Sequence, residues 1–350
     1  MKKHIFYWVA LMAVFVACNK DTEPELPYMS FSKGVTNYNW VEIMLAGSGT
    51  AIIDWGDGMA GVSHTLLPFS DSEKNLYRYR YSSNNSRTIK ITGENMTHLV
   101  FKDYNSLKHL EVGNNSKLTY LDCSYRKITN LDVSNNTALT YLNCSGNELT
   151  NLDVSNNTKL ENLNCERNHL TSLNVDNNTA LKNLDCSGNE LTKLNLNNNT
   201  RLDVLYCIKN QLTTLNLSNN VALTYLVCWN NRLTSLNVDN NTALTYLNCF
   251  DNQLTSLYTN NNTALSEIEC GDNQITSLGV SNNTALTYLG CRQNDLSSDE
   301  LNRFFGTLHD NNGEYKRINI SENPGTDTCD QSIASSKGWS VYTYRYTYGY

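Results

Sequence analysis

Nine cysteines, at positions 123, 144, 165, 186, 207, 228, 249, 270 and 291, follow one another at a constant interval of 21 residues. Repetition with a period in the range of 20 to 50 residues signals stacked units, and it restricts the fold before composition is considered. One unit opens with Leu139-x-x-Leu142-x-Cys144-x-x-Asn147 and continues with Leu149-x-x-Leu152-x-Val154-x-x-Asn157. Eight full units run from Leu118 to Ala285, and a ninth begins at Leu286. A single unit cannot bury its own leucines. Stacked units share one core and a parallel sheet with strands ~4.8 Å apart.

Two asparagine columns accompany the cysteines. One runs from Asn147 to Asn294 and the other from Asn136 to Asn283, again in steps of 21. Amides at turns satisfy backbone groups that no strand partner reaches. Arg126 interrupts the first column. The cysteines show no Cys-x-x-Cys pair and no histidine at ligand spacing, so a zinc site is not indicated. Neighbouring thiols one strand apart stand too far for an unstrained disulfide, whose Cβ atoms lie near ~3.8 Å. Cysteine here is read as a small buried hydrophobe.

Both half-units resemble the leucine-rich repeat, in a 21-residue, internalin-like form found in bacterial surface proteins. The resemblance implies a β-dominated solenoid of parallel strands, with few helices except in a C-terminal cap. Met96, Leu99, Phe101, Leu107, Leu110 and Val112 read as one degenerate unit, with Phe101 in the cysteine's place. After the repeats (96–296), residues 297–350 read as a β-α cap. Ser297 or Ser298 caps a helix through Leu308, Tyr315 to Asn323 forms a further strand unit, and Cys329 to Lys337 forms a second helix stopped by Gly338. A closing strand carries Tyr342, Tyr344, Tyr346, Tyr348 and Tyr350 at period two.

Ahead of the repeats, residues 28–95 show strand-like runs around the turn Asp54-Trp55-Gly56-Asp57-Gly58. The turn and the later Tyr77-x-Tyr79-x-Tyr81 strand resemble a PKD-type domain, implying a small antiparallel β-sandwich. Asp54 and Asp57 serve the turn backbone or, alternatively, a calcium site. At the start, Lys2 and Lys3 precede an apolar run from Ile5 to Ala17 that meets Cys18. That pattern reads as a signal peptide over 1–17. Val16-Ala17-Cys18 resembles a lipobox with Cys18 as the lipidated residue, although Phe15 stands where leucine is usual. The acidic stretch within 18–27 resembles the surface-export signal of Bacteroidota lipoproteins. An outer-membrane lipoprotein is expected, held to the membrane by its lipid alone.

The net charge of −7 and a charged fraction of only 17 % argue against a nucleic-acid surface. The six histidines share no spacing, and no nucleophile elbow, zinc-protease motif or phosphate loop occurs. No catalytic residue, metal site or cofactor is expected. In a leucine-rich repeat the residues flanking the second leucine, and the residue after the cysteine, face the concave sheet. Val204, Tyr206, Ile208, Tyr225, Val227, Trp229, Tyr246 and Phe250 then form one apolar and aromatic patch across three adjacent repeats. Its flanks, Asn162, Asn164, Glu166 and Arg167 on one side and Glu267, Glu269 and Asp272 on the other, are polar. An apolar centre with a charged rim is interface-like.

The expectation is a surface protein that recognises an extracellular protein or peptide through this patch. Carbohydrate binding is the alternative, with Trp229, Tyr206 and Tyr225 stacking sugar rings and Asn248 and Glu269 bonding hydroxyls. A purely structural spacer is the third.

Overall fold

The computed structural model describes residues 26–34, 39–70, 73–83, 85–103, 106–311 and 315–344. The signal segment, Cys18 and Tyr346, Tyr348 and Tyr350 lie outside them.

The first strands are β1 (Tyr28–Lys33), β2 (Trp40–Asp54), β3 (Val62–Thr65), β4 (Leu76–Arg80), β5 (Arg87–Phe101) and β6 (Leu107–Glu111). The long strands β2 and β5 pair antiparallel along their length, with register shifts at Ala46/Gly47 and between Ser48 and Ala51. An added Cβ at Gly47 would lie 1.9 Å from the Asn95 carbonyl oxygen, so only glycine admits this approach. One half of this ribbon carries β3, β1 and β6, and the other carries β4. Phe31 on β1 meets Phe101 on β5 edge-on at 4.9 Å, so the two halves face each other over a shared core.

The expected boundary between residues 95 and 96 falls inside β5. One edge of β5 pairs with β1 over Arg87–Thr92. Further on, His98, Leu99 and Val100 pair in parallel with Tyr120, Leu121 and Asp122. The last turn of this strand is therefore the first rung of the solenoid. Phe101 stands in register with the cysteine column, as the degenerate unit predicts.

The rungs that follow are β7 (Tyr120–Asp122), β8 (Tyr141–Asn143), β9 (Asn162–Asn164), β10 (Asn183–Asp185), β11 (Val204–Tyr206), β12 (Tyr225–Val227) and β13 (Tyr246–Asn248). The order continues with β14 (Ser256–Tyr258), β15 (Glu267–Glu269), β16 (Ser277–Gly279) and β17 (Tyr288–Gly290). After α1 (Ser298–Thr307) come β18 (Lys316–Asn319), α2 (Ser332–Ser335) and β19 (Trp339–Tyr342). All the rungs from β7 to β19 pair in parallel with no slip, except that β14 and β16 pair apart in the second half-unit. In each rung from β7 to β18 the leucine or isoleucine is buried, while its neighbours stand on the other face.

The nine ladder cysteines are free and fully buried, and Cys144 and Cys186 donate weakly to the Asn164 and Tyr206 carbonyls at 3.5 and 3.6 Å. Burial pushes every one of these thiols up, Cys228 to about 12. They are core, and their thiolates are disfavoured at neutral pH.

The residue two beyond each cysteine adopts a positive φ, between 50° and 64° from Tyr125 through Gly146 to Gln293. Its N–H still reaches the next rung, as from Arg167 to the Ser187 carbonyl at 2.8 Å. Just behind this bend sits the first asparagine column. Asn168 donates to the Cys144 and Cys165 carbonyls at 3.0 Å each and accepts from the Leu149 N–H at 3.0 Å. The second column is less complete. Asn178 donates to the Val154 and Asn157 carbonyls at 2.9 Å, but its own buried oxygen has no hydrogen-bond partner among the described residues.

At the C-terminal end, Ser297 caps α1 by accepting from the Glu300 N–H at 3.2 Å, and Leu301, Phe304 and Phe305 seal the last repeat. The second helix is shorter than the expected span of Cys329 to Lys337. Turns occupy its flanks, and Gly338 stops it at φ +79°. The closing strand ends at Tyr342, so Tyr344 lies beyond it. Among the described residues no helix is long and apolar enough to cross a membrane.

Candidate functional site

The parallel register arranges the exposed face in three columns. The first reads His98, Tyr120, Tyr141, Asn162, Asn183, Val204, Tyr225, Tyr246, Glu267, Tyr288 and Arg317. The second, on the far side of the buried leucines, reads Asp122, Asn143, Asn164, Asp185, Tyr206, Val227, Asn248, Glu269, Gly290, Asn319 and Tyr342. The third follows the cysteines and includes Ile208, Trp229, Phe250, Gly271 and Arg292.

The second column has a local task. The side chains of Asp122, Asn143, Asn164 and Asp185 each accept from the backbone N–H two residues on, at 3.0–3.1 Å, and Asn248 and Asn319 do the same. This Asx turn holds the bend after the strand. Tyr206 and Val227 cannot make it. At Ile208 the N–H turns instead to the Ser187 hydroxyl of the preceding rung at 3.2 Å. Glu269 and Gly290 also lack an Asx side chain. These substitutions coincide with a concavity of about 1000 Å³ that runs from the β9 turn to the C-terminal cap.

Seven of the eight residues expected in the apolar patch line this concavity: Tyr206, Ile208, Tyr225, Val227, Trp229, Tyr246 and Phe250. Val204 lies in the neighbouring register position but not on the wall. Val227 is buried rather than exposed. Tyr225 and Tyr246 stack at 4.4 Å with rings 5° from parallel, and Tyr206 tilts onto Tyr225 at 5.5 Å.

The concavity also takes in residues that the patch did not include. Arg167, Lys209, Asn248, Glu269, Tyr288, Arg292, Arg317, Asn319 and Tyr342 complete its wall. Tyr288 was legible as a column member. Arg317, Asn319 and Tyr342 come from the cap, where the 21-residue spacing fails and column arithmetic gives no position. Gly271 and Gly290 hollow this end: a Cβ on Gly290 would lie 2.1 Å from a Glu269 carboxylate oxygen. The vacated space holds Glu269, which accepts from the Tyr288 hydroxyl at 2.5 Å. Burial pushes the Glu269 carboxyl up, against the pull of that bond and of Arg292.

Cations lie over the aromatic rings of this wall. Lys209 Nζ sits 5.0 Å from the Trp229 ring centre, and the guanidinium of Arg292 sits 4.8 Å from that of Phe250. Arg317 lies 5.2 Å from the Tyr288 ring and 5.9 Å from that of Tyr315. Arg292 is further tied to Asp272 at 2.8 Å, and Arg167 to Glu166 at 3.1 Å. No carboxylate bonds Lys209 or Arg317 among the described residues.

A second aromatic run stands at the other end of the same face. Phe69 stacks on His98 at 4.5 Å, His98 on Tyr120 at 5.3 Å, and Tyr120 on Tyr141 at 4.0 Å. Asn162 and Asn183, joined by a 2.6 Å bond, separate this run from the concavity. The Asp54 and Asp57 side chains accept from the Gly56 and Met59 N–H groups at 2.8 and 2.9 Å, and Asp57 also accepts from Tyr79. Both carboxylates thus serve their own turn. Among the described residues no group of three or more His, Cys, Asp or Glu is placed to hold a metal ion.

No protein-family model matches the chain, and no curated protein matches it. Solved structures do. The internalin inlF of Listeria monocytogenes superposes with a TM-score of 0.55 at 23 % identity, covering 70 % of this chain and 79 % of that one. The functional domain of InlJ from Listeria monocytogenes, described as including a cysteine ladder, is 31 % identical. It covers 64 % of each chain with a TM-score of 0.45, so this chain spans just under two thirds of that domain. YopM of Yersinia pestis, a leucine-rich effector protein, is 24 % identical over 59 % of this chain and 56 % of that one, with a TM-score of 0.48. The superposition on the internalin, together with the 21-residue rungs, defines the fold as a leucine-rich-repeat solenoid.

Proposed function

We propose that this chain is a non-catalytic binding protein whose concavity recognises an extracellular protein or peptide. The observation that carries the reading is the loss of the Asx turn at two adjacent rungs of the concavity's wall, Tyr206 and Val227, while Asn248 and Asn319 on the same wall keep it. Tyr206 and Val227 replace side chains that make a local bond in the rungs on either side. Val227 is buried and serves the core, but Tyr206 gives up the local bond and stays partly exposed, where its ring is a rigid anchor for an interface. The basic, apolar start of the chain and the lipobox at Cys18 support display on an outer membrane through an N-terminal lipid.

The test immobilises the full chain in detergent, as wild type and as Trp229→Ala, and exposes both to extracellular-matrix and mucosal proteins. A partner held by wild type should lose about 30-fold in affinity to the variant, with circular dichroism unchanged. A partner held equally by both would place recognition elsewhere.

A further inference from the structure

Resting on that reading, we infer that the segment received by the concavity is an acidic peptide. The chain as a whole is acidic, with a net charge of −7. The wall of the concavity is the reverse: Arg167, Lys209, Arg292 and Arg317 line it, against the single acid Glu269. Two of these cations are already matched, Arg292 by Asp272 and Arg167 by Glu166. Lys209 and Arg317 are held over aromatic rings and bond no carboxylate among the described residues. A cation placed over a ring keeps its outer side open, and a guanidinium there can take a carboxylate through two parallel N–H bonds.

The same geometry argues for a peptide over a neutral sugar. Sugar rings stack on exposed aromatic faces. Here a cation lies over the rings of Trp229, Phe250 and Tyr288, and Tyr225 and Tyr246 lie face to face. One face of each of these rings is thereby taken, and the wall also offers Ile208 and charged tips. These suit a segment that alternates apolar side chains with Asp or Glu.

The probe is a phage-displayed library of random twelve-residue peptides, panned on the full chain in detergent. Wild type should enrich sequences with two or more acidic residues beside an aromatic or aliphatic one. A synthetic peptide of that consensus should bind about tenfold more weakly to Arg317→Gln/Lys209→Gln, and more weakly as salt is raised. Lys209→Gln alone, at an exposed position, should weaken binding by about threefold while leaving the melting temperature unchanged. Enrichment of neutral or basic peptides lost in Trp229→Ala would overturn the acidic inference and leave peptide recognition standing. No peptide enrichment, with retention of an acidic polysaccharide such as heparin, would overturn both.

Discussion

The Arg126 guanidinium donates to the Phe101 carbonyl at 2.7 Å. One rung later, Asn147 donates its amide to the Cys123 carbonyl at 3.0 Å, the same position in the repeat. The arginine that interrupts the asparagine column thus makes the column's bond with a longer side chain, where the solenoid meets β5. Arg126→Ala should leave this buried carbonyl unpaired and cost about 1–3 kcal/mol in urea unfolding. Arg126→Asn should recover part of that loss. Equal stability of wild type and the alanine variant would show that the junction does not depend on this bond.

The two asparagine columns should differ in value. Removing the Asn168 amide leaves the Leu149 N–H without its acceptor, while the Cys144 and Cys165 carbonyls each keep a second donor in Asn147 and Asn189. Removing that of Asn178 strands no N–H, since the Val154 and Asn157 carbonyls keep the Asn157 and Leu160 N–H groups, and it deletes a buried oxygen that has no partner among the described residues. Asn168→Ala should therefore be the more destabilising by about 1 kcal/mol, read as a shift in the urea midpoint at constant slope. The reverse order would contradict this accounting of bonds.

The ladder thiols should be silent toward alkylation in the folded protein. Burial raises them, and no thiolate is available to attack. Cys329 is the half-buried exception among the described residues. Iodoacetamide at pH 8 followed by mass spectrometry should label Cys329 first and the nine ladder positions only in denaturant. Labelling of ladder cysteines at a native rate would mean that the rungs open locally.

Glu269 should make stability fall as pH rises. Its carboxyl is pushed above the ordinary glutamate value by burial, so the folded state favours the neutral form. That contribution is fully present below the unfolded pKa and is lost as pH rises through the raised folded one. Asp185, also raised by burial, acts in the same direction. Melting temperatures of wild type and Glu269→Gln between pH 4 and 8 isolate the glutamate. The variant's relative stability should grow toward pH 8, and a difference independent of pH would refute the assignment.

Periodicity made the solenoid legible because each buried position recurs at one spacing, and nine cysteines leave no freedom of register. The same arithmetic placed Tyr206, Trp229 and Phe250 on one face. It did not show that Val227 would be buried, since spacing places a residue on a face but does not give the cover its neighbours provide. Arg317 and Tyr342 were hidden for another reason. They enter the wall through a cap where α1 interrupts the count. The boundary at 95/96 was drawn from a change of pattern, but backbone pairing carries β5 through it without a break.

The two aromatic runs on the concave face are set apart by whole strands. From Tyr141 to Tyr225 there are four steps of the sheet, or ~19 Å at ~4.8 Å per step. Inserting or deleting one 21-residue unit between them would change that gap by a single step and leave both ends chemically intact. The molecule is in this sense a ruler with fixed graduations. A lineage of such chains can retune the reach between two grips by copying a unit, without redesigning either grip.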